Sequence, residues 1–199
     1  MKTEGRFNPP LTMETPENAG GGIAIVLLPG YGPHSPDPES GRPRGLVTSS
    51  QVDRGPVVRE VLKWLSDGGL DLRRHALSFR LVIWPESWEK SLHGPQMVPE
   101  LVRCSDAFVQ EMTTVRPSKV VLVSCYLHDA LDSPEMHARL FPAFGKPLTP
   151  PARLCRTRLR AQVQRWERTL VVSVPIPGTS TTHAFKQVLT ASLTSWLHS

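Results

Sequence analysis

Four short runs of nearly continuous apolar residues punctuate the chain, at residues 23–28, 77–84, 119–125 and 169–174. Each is rich in Val, Ile and Leu and shorter than an ordinary helix, the pattern of strands buried on both faces of a parallel sheet. Between them the apolar positions switch to helical spacing. Val57, Val58, Val61, Leu62, Trp64 and Leu65 predict a helix that stops at Asp67-Gly68-Gly69, where glycine serves as the C-cap. A second helix is predicted over residues 97–115, with Val98, Leu101, Val102, Phe108, Val109 and Met112 on one face and Pro117 just beyond its end. A third, over 182–197, turns Phe185, Val188, Leu189, Leu193 and Trp196 inward. The order β-loop-α-β-α-β-α-β-α implies an α/β fold: a three-layer sandwich around a central, mostly parallel, four-stranded sheet.

The polar remainder sets the organisation. Residues 1–20, with Asn8-Pro9-Pro10 and Pro16, read as a loosely held arm ahead of the run Gly20-Gly21-Gly22. Residues 21–199 read as one domain, because 199 residues with 39% hydrophobic content bury one substantial core. Five prolines within residues 133–152 suggest a long surface loop there. The longest loop follows the first strand, opening with Gly30-Tyr31-Gly32-Pro33-His34 and closing with Gly41-Arg42-Pro43-Arg44-Gly45. A strand that runs into a glycine-rich loop presents backbone N–H groups at the carboxyl edge of a sheet, where open α/β folds bind ligands. The candidate site begins here.

Charge adds a second feature. The formal net charge is +5, and the excess is uneven: Arg153, Arg156, Arg158, Arg160, Arg165 and Arg168 lie between Pro151 and Thr169 against the single acid Glu167. Guanidinium forks match phosphate geometry, so this stretch suits a nucleic acid backbone; the alternative is a solvated face whose arginine stems cover apolar surface. No apolar run approaches 18 residues, and residues 1–6 lack the apolar core of a secretory signal, so a soluble cytoplasmic protein is expected, with no membrane partner. Cys104, Cys125 and Cys155 are widely spaced without a CxxC pair, which points to reduced thiols in or near the core.

Placed in order, these pieces resemble the uracil-DNA glycosylase superfamily, especially bacterial members related to the iron–sulfur type, from about Ile23 onward. There the first strand ends in a motif like GEAPG, followed by an acidic pair and GxPFxG. Here stand Gly30-Tyr31-Gly32-Pro33-His34, then Asp37 and Glu39, then Gly41-Arg42-Pro43-Arg44-Gly45. Pro99-Glu100-Leu101-Val102-Arg103-Cys104, with Phe108, Glu111, Val115 and Pro117 before Val120-Val121-Leu122-Val123, is similar to the family's P-E-x-x-x-C helix and third strand. Ile176-Pro177-Gly178-Thr179-Ser180 takes the place of its HPS-type minor-groove loop.

Departures are as informative. Only Cys104 falls at a cluster position, so no iron–sulfur cofactor is expected, since one thiolate cannot hold a cluster. The uracil-reading asparagine is absent, the only asparagines being Asn8 and Asn18, and Trp84-Pro85-Glu86-Ser87-Trp88 stands at that strand end. Arg44 replaces the stacking aromatic and Ile176 the motif histidine. The resemblance therefore implies a bacterial or phage DNA glycosylase, monomeric, that cleaves the N-glycosidic bond of a flipped-out modified or damaged base other than uracil. Its substrate is a duplex with a flipped nucleotide or a single strand, in repair or in defence against phage with modified DNA.

Roles follow residue by residue. The oxocarbenium-like sugar requires a carboxylate near its face, and Asp37 matches a family acid in spacing, with Glu39 second; the alternative is that both acids solvate the loop. The base pocket comprises Gly30, Tyr31, Gly32, Pro33, His34, Arg42, Arg44, Trp84 and Glu86, of which Tyr31, Arg44 and Glu86 can hydrogen-bond a polar substituent. His183, at the start of the last helix, is the candidate donor to the departing base, with His34 the other nearby imidazole. DNA contacts fall to Pro177, Gly178, Thr179, Ser180, Thr181, Thr182, Lys186, Arg153, Arg156 and Arg160; for the threonines and serine the alternative is helix capping.

Two rival readings remain open. Catalysis has decayed and a nucleic-acid-binding module survives. Or the chain is an α/β-hydrolase-like esterase, with Leu28-Pro29-Gly30-Tyr31-Gly32 as oxyanion loop and Ser124 or Cys125 as nucleophile, although Val123-Ser124-Cys125-Tyr126-Leu127 lacks the glycines of a G-x-S-x-G elbow.

Overall fold

The computed structural model describes residues 22–28, 56–69, 79–83, 94–155, 158–178 and 180–197. The N-terminal arm and the whole of the long loop after the first strand lie outside the described residues.

Three of the expected strands form with little change. Strands β1 (Ile23–Leu27) and β3 (Lys119–Val123) lie side by side in the centre of the sheet, and β2 (Phe79–Ile83) pairs with the other side of β1. The fourth run becomes β6 (Leu170–Val174), parallel to β3 with Val121 opposite Val172. The four-stranded expectation is corrected by an antiparallel extension: β5 (Gln162–Arg165) pairs with β6, and the two-residue β4 (Ala152–Arg153) pairs with β5. The resulting mixed sheet has the order β2-β1-β3-β6-β5-β4. Alternating polar residues disguised β5: Gln164 is buried, and a buried glutamine looks like surface until its partners are known.

Helices cover both faces. Helices α1 (Pro56–Asp67) and α6 (His183–Leu197) pack Val58, Trp64, Leu65, Phe185 and Leu193 against Ile23, Ile25, Leu27, Val121, Val123, Val172 and Val174. Ala24, Val26, Val120, Leu122 and Val171 face the opposite way, the period-2 alternation of a strand. Over them lie α2 (Met97–Arg103), α3 (Asp106–Val115), α4 (Cys125–Leu131) and α5 (Pro134–Phe144). Burial of each such Val, Leu or Phe contributes about 1.5–3 kcal/mol, so the doubly covered strands are the main source of stability. Val188, expected inward, is instead exposed on α6.

Two expectations give way on the α2–α5 face. The single helix over 97–115 breaks into α2 and α3 at Ser105, whose hydroxyl donates to Val102 O at 2.6 Å. Arg139 of α5 donates to the same carbonyl at 3.2 Å and pairs with Asp106, so a tertiary partner satisfies the groups released at the break. The proline-rich stretch 133–152 is not one long loop, because α5 occupies its first half. Ser133 caps α5 by accepting from Met136 N at 3.3 Å, and Pro134 sits in the first turn, where its missing N–H costs nothing. Met136, Leu140, Ala143 and Phe144 then give it a buried stripe. Gly145 ends it at φ 77°, and a Cβ there would lie 2.7 Å from Glu167 Cβ, so only glycine fits. The third expected strand also stops early: Ser124 and Cys125 belong to the start of α4.

Among the described residues no helix is long and apolar enough to cross a membrane. All three cysteines are free thiols, with Cys155 buried and Cys104 and Cys125 half-buried.

Candidate functional site

The strand order reverses between β1 and β3, since the chain leaves β1 towards β2 on one side and returns to β3 on the other. Loops diverge at such a point and leave a crevice beyond the carboxyl ends of the strands. Because β2, β1, β3 and β6 are all parallel, the segments that follow them leave from this same edge. The loop after β1 carries Gly30, Tyr31, Gly32, Pro33, His34, Asp37, Glu39, Arg42 and Arg44, and that after β2 carries Trp84 and Glu86; these residues, with Arg156 and Thr179, lie outside the described ones. Strand spacing places the exits of β1 and β6 about 10 Å apart, with the start of α4 between them.

That central position is held by Ser124, Cys125 and Tyr126. Ser124 is buried and extended, with φ 173°, and its Oγ accepts from Tyr126 N at 3.2 Å, which makes it the N-cap of α4. Its hydroxyl is committed to the helix start, and the strained elbow of a serine hydrolase is not formed. Beside it, the Arg160 guanidinium pairs with Asp129 one turn along α4 and reaches the Cys125 thiol. Burial pulls the guanidinium's pKa down, but the Asp129 carboxylate and Cys125 outweigh it and the net shift is upward. Arg160, with its side chain 37% exposed, thus links α4 to the segment entering β5.

The segment after β6 is built mainly by its own hydrogen bonds. Thr181 is buried; its Oγ1 donates to Gly178 O at 2.6 Å and accepts from Gly178 N at 3.2 Å. Thr182 Oγ1 accepts from Phe185 N at 3.3 Å and caps α6. Thr182 thus takes the capping role, while Thr181 closes the turn from Gly178. Pro177, Gly178 and Ser180 remain at the rim, and among the described residues nothing lies within 4 Å of a Cβ placed on Gly178. Ile176, at the position of the family's histidine, packs against the cores of both faces and plugs the end of the sheet.

His183 and Lys186 belong to the outer layer. Both line a groove of about 500 Å³ between α1 and α6, with Glu60, Lys63, Trp64 and Asp67 opposite. Lys186 Nζ is 2.5 Å from Glu60 Oε1, which also accepts from Trp64 Nε1 at 3.1 Å. The lysine bond chiefly lowers the Glu60 pKa, against the upward pull of burial. Lys186 is thus held by a protein carboxylate.

The arginine run does not form one stripe. In the antiparallel β5–β6 pair, Gln162 lies opposite Ser173 at the carboxyl end of β6 and Arg165 opposite Leu170 at its amino end. Arg153, opposite Gln162, and the exposed Arg158 therefore share the carboxyl edge with Arg160, while Arg165 is about 10 Å away at the other end of the sheet. Arg168 lies there too and donates to Phe141, Pro142 and Ala143 carbonyls, closing the C-terminus of α5. Sequence order alone cannot show that β5 turns the run through the sheet.

In the P-E-x-x-x-C segment, Glu100 is bound by Arg103 and accepts from the Cys104 thiol at 3.2 Å. Arg103, then Cys104, hold its carboxyl down at about 2. This set ties the end of α2 to itself.

Residues that sequence reasoning passed over form a polar seam under α4. His128 Nδ1 is 2.9 Å from Ser173 Oγ, Gln164 Nε2 donates to Asp132 at 2.7 Å, and Trp166 Nε1 donates to Gln164 Oε1 at 3.1 Å. The signal was present: Cys125, His128, Asp129 and Asp132 recur at helical spacing around the apolar Leu127, Ala130 and Leu131. No protein-family model matches this chain, and no curated protein matches it in sequence.

Proposed function

We propose that this chain is a DNA glycosylase of the uracil-DNA glycosylase type that excises a modified or damaged base other than uracil. The observation that carries the reading is the shared carboxyl edge: the motif-bearing segments after β1, β2 and β6 all leave a parallel four-strand core from one end, around the order reversal. A flipped nucleotide needs such convergence, with base, sugar and flanking phosphates held by different loops within about 10 Å. Asp37 is the carboxylate that stabilises the developing positive charge on the sugar and orients water, and Tyr31, Arg44 and Glu86 read the base. Arg153 and Arg158 extend the edge as a basic rim for the backbone. The commitment of Ser124 to capping disfavours the esterase reading.

The test is incubation with duplexes carrying a panel of damaged and hypermodified bases. Free base and alkali-labile abasic sites are expected with at least one substrate, and Asp37→Asn should lower turnover on the order of 100-fold with little loss of binding. DNA binding without base release from any substrate would assign the chain to the binding-module class instead. Orientation has its own check: Arg158→Ser should reduce the slope of log K against log salt by about 0.9, while Arg165→Ser leaves it unchanged. Equal effects would sink the carboxyl-edge placement.

A further inference from the structure

The seam between α4 and strands β5 and β6 holds an imidazole that the proposed reaction does not use. His128 is 1% exposed; its Nδ1 meets Ser173 Oγ, and its Nε2 has no hydrogen-bond partner among the described residues. Gln162, opposite Ser173 in the ladder, carries a buried Oε1 that also has no hydrogen-bond partner among the described residues. The charged groups around the ring are already engaged. On α4 itself, Asp129 pairs with Arg160, and Asp132 accepts from Gln164 of β5 and lies 3.3 Å from His137 Nε2 of α5. Glu100 and Arg103 of α2, which also packs on α4, pair with each other. Strand β6 contributes only the neutral Ser173.

We propose that His128 is an acid-operated latch: neutral, it ties α4 to β6, and on taking up a proton it leaves the seam and frees residues 124–126 at the carboxyl edge. Neutral imidazole carries one donor and one acceptor, and Ser173 partners the one at Nδ1. Imidazolium must donate from both nitrogens, and with no hydrogen-bond partner for Nε2 among the described residues, burial disfavours the charged ring in this site. Burial is the main cause holding the ring's pKa down at about 4, with Asp132, Asp129 and Gln164 pulling it up and Arg160 opposing them. Released into water, the ring returns to 6.5. The open form therefore binds the proton more tightly. The latch is fully closed above 6.5, weakens as pH falls, and is weakest below about 4. From these values the opening constant rises roughly 20-fold between pH 7 and pH 5.

Amide exchange, corrected for intrinsic rates, should show that rise across α4 but not across α6, and His128→Gln should abolish it. An equal rise in the variant, or one shared by both helices, overturns the latch. Should the variant fail to fold, ring titration by NMR in the unaltered protein decides the matter. A transition near 4 that shifts residues 124–126 is expected; a ring titrating near 6.5, or one whose titration leaves them unmoved, overturns it.

Discussion

The helical layers on the two faces of the sheet meet the same strands with different chemistry. Helices α1 and α6 press Trp64, Leu65, Phe185 and Leu193 onto Ile25, Leu27, Val121 and Val172. On the other face, α4 and α5 bring His128, Asp132 and His137 against Ser173, Gln164 and Trp166, alongside Leu127, Leu131 and Phe144. The first face depends on volume, because dispersion and burial are not directional. The second depends also on direction, because each buried polar atom needs a partner at a set place. This difference places the rigid support on one side of the candidate site and the pH-sensitive element on the other.

The largest effect that would test the contrast is expected at Trp64. Trp64→Ala should cost about 3–5 kcal/mol in urea unfolding, through lost burial and the cavity left between α1 and α6. A loss under about 1 kcal/mol would mean that this face is not volume-limited. Gln164→Leu probes the other face with a side chain of similar size. If that face were simply apolar, leucine would be neutral or stabilising. Because it strands the Trp166 Nε1 donor and removes a bond to Asp132, we expect a loss of about 1–3 kcal/mol by the same measurement.

The same contrast explains what could be read in advance. Strands β1, β3 and β6 and helices α1 and α6 were legible because their apolar residues repeat at fixed period, and the period is a local property. Strand β5 was not: Gln162-Val163-Gln164-Arg165 carries an ordinary polar alternation, and only Asp132 and Trp166, distant in sequence, make Gln164 a buried residue. Helix α5 is hidden because its prolines carry the signal of a loop. Pro134 lies in the first turn, and Pro142 is carried in the last, where Arg168 reaches over from the β5–β6 turn to hold the carbonyls.

At the candidate site, the loop after β1 and its carboxylates rest on motif spacing alone and lie outside the described residues. Which surrounding polar groups are available was decided elsewhere. Thr181 bonds to Gly178, Thr182 caps α6, Lys186 pairs with Glu60, and Arg160 pairs with Asp129.

The sequence by itself determined the α/β alternation and the parallel core, because hydrophobic period acts over a few residues. Only the tertiary structure decided how the arginine run divides between the two ends of the sheet and which hydroxyls and cations are already spent. It also decided that His128 is buried. Those outcomes depend on partners tens of residues apart, and hydrogen bonds and ion pairs are set by distance in space rather than along the chain.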